Sequence, residues 1–327
     1  LRLLRAVDTI VNLGSTYLQI VLCFTPFFML NYTFTAFVRN DGAPNIAMAA
    51  TLGSGIFNIL FDYIFMFPLK MGITGAALAT AISPIVSMGI CCIHYLSSKN
   101  TIRFRKKRPS GKKLVSSCIL GVVAFVGEIS SGMTTLVFNF ILLDLAGNTG
   151  VAAYGVIANL ALVGTALFNG VSQGMQPLAS RVHGKADGEG EHKIYKHSLQ
   201  IAVGIAIVLV LVVLLFGDSF VRIFNQENSD ALASYAEQGL RIYFLGFLVA
   251  SFNIVRAGFY SATGRGKESS ILSLSRGIIG IVVFAYLLSR IWGVTGVWLA
   301  FPAAEVFTWL LGTVCMRKKP IGEIKEG

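Results

Sequence analysis

The chain has 327 residues, of which 54% are hydrophobic and 13% are charged, about half the charged share of an ordinary soluble domain. Together with a mean hydropathy of +0.70 and 34 glycines, this composition predicts an all-α, polytopic membrane protein and argues against a soluble enzyme. The net charge of +11 would indicate nucleic-acid binding only if the basic residues lay on a soluble surface.

Nine predominantly apolar stretches are each long enough to cross a hydrocarbon core of about 30 Å as a helix. In chain order they are residues 17–38, 46–69, 75–96, 114–145, 151–180, 198–220, 235–262, 269–289 and 294–316. The connections between them are short, so we expect no soluble domain and expect the function to be carried out within the membrane.

The basic residues divide unevenly between the two alternating sets of connections. Nineteen Lys and Arg residues lie in one set and five in the other, so the positive-inside rule places the richer set, including the C-terminus, in the cytoplasm. The dense basic run at 103–108 is predicted to be a topogenic loop near anionic headgroups. We expect a multi-pass protein of a plasma membrane, most simply a bacterial inner membrane, with lipids and no nucleic acid as partners.

An internal repeat appears when the sequence is shifted by about 222 residues. The shift pairs Gly42 with Gly264 and, after a one-residue deletion, aligns residues 72–79 with residues 293–300. Both of these copies start a span after an outside turn, which predicts parallel repeats related by an axis along the membrane normal. The second half has six predicted spans and the first has three, so we expect three further helices to precede this chain in a six-plus-six protein.

Two stretches of the sequence resemble the multidrug and toxic compound extrusion (MATE) family. One begins with Phe37-Val-Arg-Asn-Asp-Gly-Ala-Pro and continues through Asn58 and Asp62, and the other is Gly170-Val-Ser-Gln-Gly-Met-Gln-Pro. The resemblance covers essentially the whole chain. It implies a two-lobe transporter of twelve transmembrane helices, nine of which are in this chain.

The resemblance also implies an organisation and an activity. Residues 1–98 would be the last half of the first lobe, 99–113 an interlobe loop, 114–316 the complete second lobe and 317–327 a cytoplasmic tail. The activity would be export of organic cations or drugs by alternating access, with Na⁺ or H⁺ as the coupling ion. We expect no enzymatic activity and no other cofactor, since no metal-ligand or ATP-binding pattern is present in the sequence.

Glu128 is the leading candidate for coupling, because ionisable groups within spans are costly and usually functional. Ser131, Thr135 and Asn139 lie on the same face of the fourth predicted helix and extend a polar stripe. A carboxylate there could hold Na⁺, exchange a proton or face a cationic substrate. Members of the resembled family carry a glutamate at the matching place. The alternative is a protonated glutamate that is hydrogen-bonded between helices.

Two further polar stripes complete the candidate cation- and substrate-binding residues. They are Asn169, Gln173 and Gln176 in the fifth span and Asn253 and Tyr260 in the seventh. Neutral amides can hydrogen-bond varied substrates without a fixed charge to neutralise. For the residues of the fifth span, hydrogen bonding between helices is an equally good explanation.

Structural or secondary roles are predicted for a last group of polar residues. Asn58 and Asp62, one helical turn apart, match the family's Asn-x-x-x-Asp pattern and are expected to hydrogen-bond each other. Arg256 is expected to extend toward the lipid headgroups. Arg276 is expected to pair with Glu305 of the neighbouring helix.

Two alternatives to drug export stay open. A flippase for lipid-linked oligosaccharides would share the architecture but need basic residues in its cavity, for which only Arg256 and Arg276 are available. A fragment that does not transport, or that associates with a separately encoded segment, is the other alternative.

Overall fold

The computed structural model of the chain describes residues 8–102, 110–225 and 229–318, which are helical apart from short turns. The helices are α1 Asp8–Cys23, α2 Thr25–Asn40, α3 Pro44–Met66, α4 Gly72–Tyr95, α5 Gly111–Gly184, α6 Gly188–Phe224, α7 Asp230–Ala262, α8 Gly266–Leu274 and α9 Gly280–Lys318, with a π-helical turn Ser275–Ile279 between α8 and α9. Within the described residues, six helical segments are long and apolar enough to cross a membrane. A seventh is added if α1 and α2, which meet at 51°, form one span.

Helix α5 is a hairpin of two arms. Gly147 interrupts it with a φ of 61° and a ψ of −155°, and the rings of Phe138 and Tyr154 stack with their centroids 4.9 Å apart. An unbroken helix would separate these two residues by about 24 Å, so the chain reverses direction at Gly147. This break falls between the predicted spans 114–145 and 151–180.

Helix α9 reverses in the same way. Trp292 and Gly293 are non-helical, and the ring centroids of Phe284 and Phe307 lie 6.0 Å apart. About 35 Å would separate these rings along an unbroken helix. The reversal falls between the predicted spans 269–289 and 294–316, the first of which begins in α8.

Glycines that the internal repeat pairs have matching backbone conformations. Gly42 and Gly264 have φ values of 84° and 72°, and Gly72 and Gly293 both have a φ of 55°. These left-handed conformations favour glycine, because a Cβ atom would be strained there. The repeat in the sequence therefore corresponds to turns whose paired glycines have similar φ values.

The chain divides into two compact units, Leu1–Arg108 and Pro109–Gly327. In the second unit α7 packs against α5, α6 and α9, and its aromatic residues form the centre of a large core in which the rings of Tyr243 and Phe301 stack 4.2 Å apart. In the first unit a smaller core joins α2, α3 and α4 around Val38 and Cys91. The boundary between the units lies inside the segment 99–113, which the sequence predicts to be a loop between lobes.

Candidate functional site

Glu128 lies on the first arm of α5 with its side chain exposed. Two residues further on, Ser130 is only 4% exposed and packs so tightly on Gly277 that a Cβ atom at position 277 would clash with it. Because two residues turn a helix by about 200°, Glu128 faces away from the contact that Ser130 makes. None of the ion pairs among the described residues involves Glu128.

The rest of the Glu128 stripe leads into the contact between the arms of α5. Thr135 hydrogen-bonds the hydroxyl of Tyr154 on the second arm, and Asn139 is half-buried. The side chain of Ser131 lies outside the described residues. The exposed carboxylate therefore lies at one end of a polar stripe whose other end helps to hold the hairpin together.

The predicted stripe on the second arm of α5 is divided between the surface and the core. Asn169 and Gln173 are exposed, whereas Gln176 is half-buried with its amide nitrogen beside Gly258 of α7. The first two residues present amides on the surface of the second unit, and the third packs between helices.

Asn253, Arg276 and Glu305 form a buried network. Nε and Nη2 of Arg276 donate to Oε1 of Glu305 at 3.0 and 2.6 Å. The Asn253 amide donates to Oε2 of Glu305 at 2.7 Å and to its backbone carbonyl at 2.8 Å. Both oxygens of the Glu305 carboxylate, which is 1% exposed, are thus engaged. Asn253 therefore belongs to a packed network and does not line an open cavity.

This network is connected to the position of Glu128. Arg276 and Gly277 are neighbours in the π-helical turn Ser275–Ile279, a kind of distortion that is frequent at functional sites. The Arg276–Glu305 pair holds this turn against α9, while Gly277 in the same turn receives Ser130 from α5. The network therefore helps to fix the register of the arm that carries Glu128.

Tyr260 and Arg256 both lie in the core of the second unit, against expectation. Tyr260 is fully buried, and the guanidinium carbon of Arg265 lies 4.2 Å from its ring centroid. Arg256 is 4% exposed and does not extend to the headgroups as predicted. It bonds within the protein instead, because Gly312 leaves the space that its guanidinium fills.

Asn58 and Asp62 do not hydrogen-bond each other in the described part of the chain. The Asn58 amide donates to the hydroxyl of Thr80 on α4 at 3.4 Å. The Oδ1 atom of Asp62 is buried and has no hydrogen-bond partner among the described residues. Asn58 therefore hydrogen-bonds Thr80 on the facing helix instead of Asp62. The Oδ1 atom of Asp62 is left without a partner among the described residues.

A polar cluster that the sequence analysis did not identify lies in the first unit. Asp41, in the turn between α2 and α3, accepts hydrogen bonds from the hydroxyl and, at 3.0 Å, from the backbone N–H of Thr101. Its Oδ2 atom is also 2.7 Å from Nε2 of the buried His94. The hydrogen bonds from Thr101, followed by that from His94, lower the pKa of Asp41 to about 2. No local pattern joins residues so far apart in the sequence.

Comparison with known proteins connects this chain to membrane exporters. The family model described as MatE matches residues 1–64 and 123–287. The multidrug export protein MepA of Staphylococcus haemolyticus is 31% identical over 292 residues, which cover 88% of this chain and 63% of that protein. MepA of Staphylococcus saprophyticus is 29% identical over 297 residues, covering 90% of this chain and 65% of that protein. The chain thus spans slightly less than two thirds of the length of these relatives.

Solved structures share the fold. An outward-facing multidrug resistance MATE family transporter of the MOP superfamily superimposes with a TM-score of 0.86 at 22% identity, over 93% of this chain and 68% of that one. The P26A mutant of a MATE protein superimposes with a TM-score of 0.88 at 22% identity, over 97% of this chain and 72% of that one. At this identity the likeness establishes the architecture alone.

Proposed function

The chain belongs to the MatE family, and we propose that it acts in a secondary active transporter that exports organic cations or drugs. The family match confirms the resemblance noted in the sequence, and the relatives named multidrug export proteins support this choice of substrate class. Export is coupled to the entry of Na⁺ or H⁺ and proceeds by alternating access.

The observation that carries this proposal is the exposed carboxylate of Glu128. A charge inside a span is expensive unless it is neutralised, and no described cation pairs with this one. Binding of H⁺ or Na⁺ neutralises Glu128, and release of that ion leaves a negative charge that attracts a cationic substrate. Because the Glu128 carboxylate binds either the ion or the substrate and not both at once, entry of the ion is coupled to export of the substrate. The exposed amides of Asn169 and Gln173 offer hydrogen bonds to substrates of varied shape.

Asp62 is a second candidate for a coupling carboxylate. Its buried Oδ1 atom has no described partner, although Asn58 and Thr80 bring polar atoms to the same helix pair. Buried polar atoms without a partner are rare, and a proton or a small cation would satisfy this one.

The topology we propose has nine crossings and a cytoplasmic C-terminus. One crossing is formed by the bent pair α1–α2, and α3, α4, α6 and α7 each contribute another. The two arms of α5 add two crossings, and the segment from α8 to the end of α9 adds the last two. In this arrangement residues 1–98 belong to the first lobe and residues 114–316 form the second.

A lipid-linked oligosaccharide flippase is the less favoured function. It would need free basic residues facing its cavity, but Arg276 is paired with Glu305 and Arg256 lies in the core. The names of the similar proteins also refer to multidrug export.

The Glu128→Gln variant tests the proposal in the full open reading frame that contains this chain. We expect it to insert normally but to lose both drug resistance in a hypersensitive bacterial strain and drug-driven Na⁺ or H⁺ flux in proteoliposomes. Glu189→Gln is the matched control, since Glu189 is 78% exposed in an ion pair with Lys193, and it should transport normally. Undiminished resistance and flux in Glu128→Gln would disprove the assigned role.

A further inference from the structure

Arg256 is a buried cation whose hydrogen-bonding capacity is only partly used. Its Nε donates to the Tyr195 hydroxyl at 3.4 Å and its Nη1 to the Trp309 carbonyl at 3.2 Å, while the residue is 4% exposed. A guanidinium carries five N–H donors. The remaining donors make no hydrogen bond to the described residues.

The carboxylates on the neighbouring helices are engaged elsewhere. Glu191, one turn before Tyr195 on α6, lies 2.7 Å from Nδ1 of His183, and Glu305 of α9 binds Arg276. Arginine stays protonated in proteins, and a buried cation is strongly destabilising unless an anion compensates it. Among the described residues no acidic side chain forms an ion pair with Arg256, so an anion that pairs with it would come from outside them.

The location of Arg256 indicates where that anion comes from. Arg256 is six residues before the end of α7 at Ala262, a rise of about 9 Å, and Tyr195 precedes the predicted span 198–220. Under the topology proposed above, both side chains lie on the cytoplasmic side of the second unit, with Arg256 about 9 Å inside the end of α7. Basic pockets between helices on this side of a membrane bind anionic lipid headgroups.

The chemistry of the pocket fits a phosphate group. The Tyr195 hydroxyl accepts from Arg256, so its own hydrogen is available to donate, and both side chains are more than nine-tenths buried. Guanidinium and hydroxyl donors together suit the oxygens of a phosphate. We propose that Arg256 and Tyr195 form a phosphate-binding site at the cytoplasmic end of α6, α7 and α9, with an anionic phospholipid as the nearest source of the ligand.

Binding measurements on the purified chain in nanodiscs test this site without requiring transport. The lipid arm compares nanodiscs of pure phosphatidylcholine with nanodiscs that contain phosphatidylglycerol, using thermal unfolding and native mass spectrometry. The second arm adds inorganic phosphate to the phosphatidylcholine nanodiscs. Stabilisation by phosphatidylglycerol alone assigns the lipid as the ligand, and stabilisation by inorganic phosphate assigns a free phosphate. Either result supports the site, whereas no response in both arms overturns it.

Substitutions test whether Arg256 and Tyr195 are responsible for the stabilisation by phosphatidylglycerol or phosphate. Arg256→Gln should weaken binding of the stabilising ligand on the order of tenfold, and Tyr195→Phe by a few-fold, since each removes donors to a charged group. Arg241→Gln, on the opposite end of α7 and 53% exposed, is the matched control and should bind normally. If Arg256→Gln does not fold, Tyr195→Phe decides the question. The site is disproved if the variants that fold bind as the parent does.

Discussion

Arg276 donates both of its described hydrogen bonds to one carboxylate oxygen of Glu305 and leaves the other oxygen to the amide of Asn253. This division neutralises Glu305, which is 1% exposed, and it joins α7, the π-helical turn and α9 in a single contact. The network therefore stabilises the packing of three segments around the residue that receives Ser130.

Removing one member of this pair should be costly. We expect Arg276→Met to lower the free energy of unfolding by about 3–5 kcal/mol, because Glu305 would remain buried without a counter-charge. Chemical denaturation of the purified protein measures this change. The double variant Arg276→Met/Glu305→Leu should recover much of the loss, and Asp218→Asn, which breaks an exposed pair with Arg241, should cost less than about 1 kcal/mol. Equal losses in the three variants would contradict the expectation.

The close contact between Ser130 and Gly277 predicts that a larger side chain at position 277 can be compensated by a smaller one at position 130. Gly277→Ala should destabilise the second unit by about 1–3 kcal/mol, because its Cβ would clash with Ser130 in a packed interior. Ser130→Gly should relieve much of that strain when it is combined with Gly277→Ala. Thermal unfolding of both single variants and of the double variant measures the coupling, and additive losses would show that the two residues are not in contact.

The Asp41 cluster predicts a response to acid. Since the hydrogen bonds lower the pKa of Asp41 from 3.8 to about 2, their stabilising contribution is complete above pH 3.8 and disappears as the pH falls through about 2. The amide chemical shift of Thr101, followed by NMR, should titrate with a midpoint near 2. Asp41→Asn should abolish this titration, and a midpoint at the ordinary value of 3.8 would contradict the geometry.

We expect the melting temperature of the protein to depend on cations through Asp62, and this effect can be measured separately from the stability of the cation-free protein. We expect Asp62→Asn to leave thermal unfolding in cation-free buffer almost unchanged, because its Oδ1 atom has no described partner to lose. A cation that binds the folded state raises its melting temperature. The parent protein should therefore be stabilised by Na⁺ or by acidification, and Asp62→Asn should not. A variant that keeps the full response would exclude Asp62 from coupling.

The features that follow local rules could be predicted from the sequence. Apolar length indicates the spans, and the glycines at 147 and 293 lie between stretches that were predicted separately. The Arg276–Glu305 pair could also be anticipated, because two opposite charges on neighbouring apolar helices have few other partners. The spans and turns are signalled within a few residues of themselves, whereas the Arg276–Glu305 pair, 29 residues apart, is signalled by the scarcity of charge in the spans.

Contacts between distant segments could not be predicted in this way. The burial of Arg256 depends on the absence of a side chain at Gly312, and the amide of Asn58 is drawn to Thr80 on the facing helix instead of to Asp62. The hydrogen bonds between Asp41 and Thr101 cross 60 residues of sequence. These contacts are determined by tertiary packing, which helical periodicity does not encode.

The sharp reversals at Gly147 and Gly293 have a consequence for biosynthesis. Each reversal is so short that its two arms have to enter the bilayer together, as one hairpin. A side chain at either turn would be strained by about 1–3 kcal/mol, at the moment when the arms must pair. Substitutions there should therefore appear first as errors of membrane topogenesis, with later segments inserted in the opposite orientation, before any effect on transport can be measured.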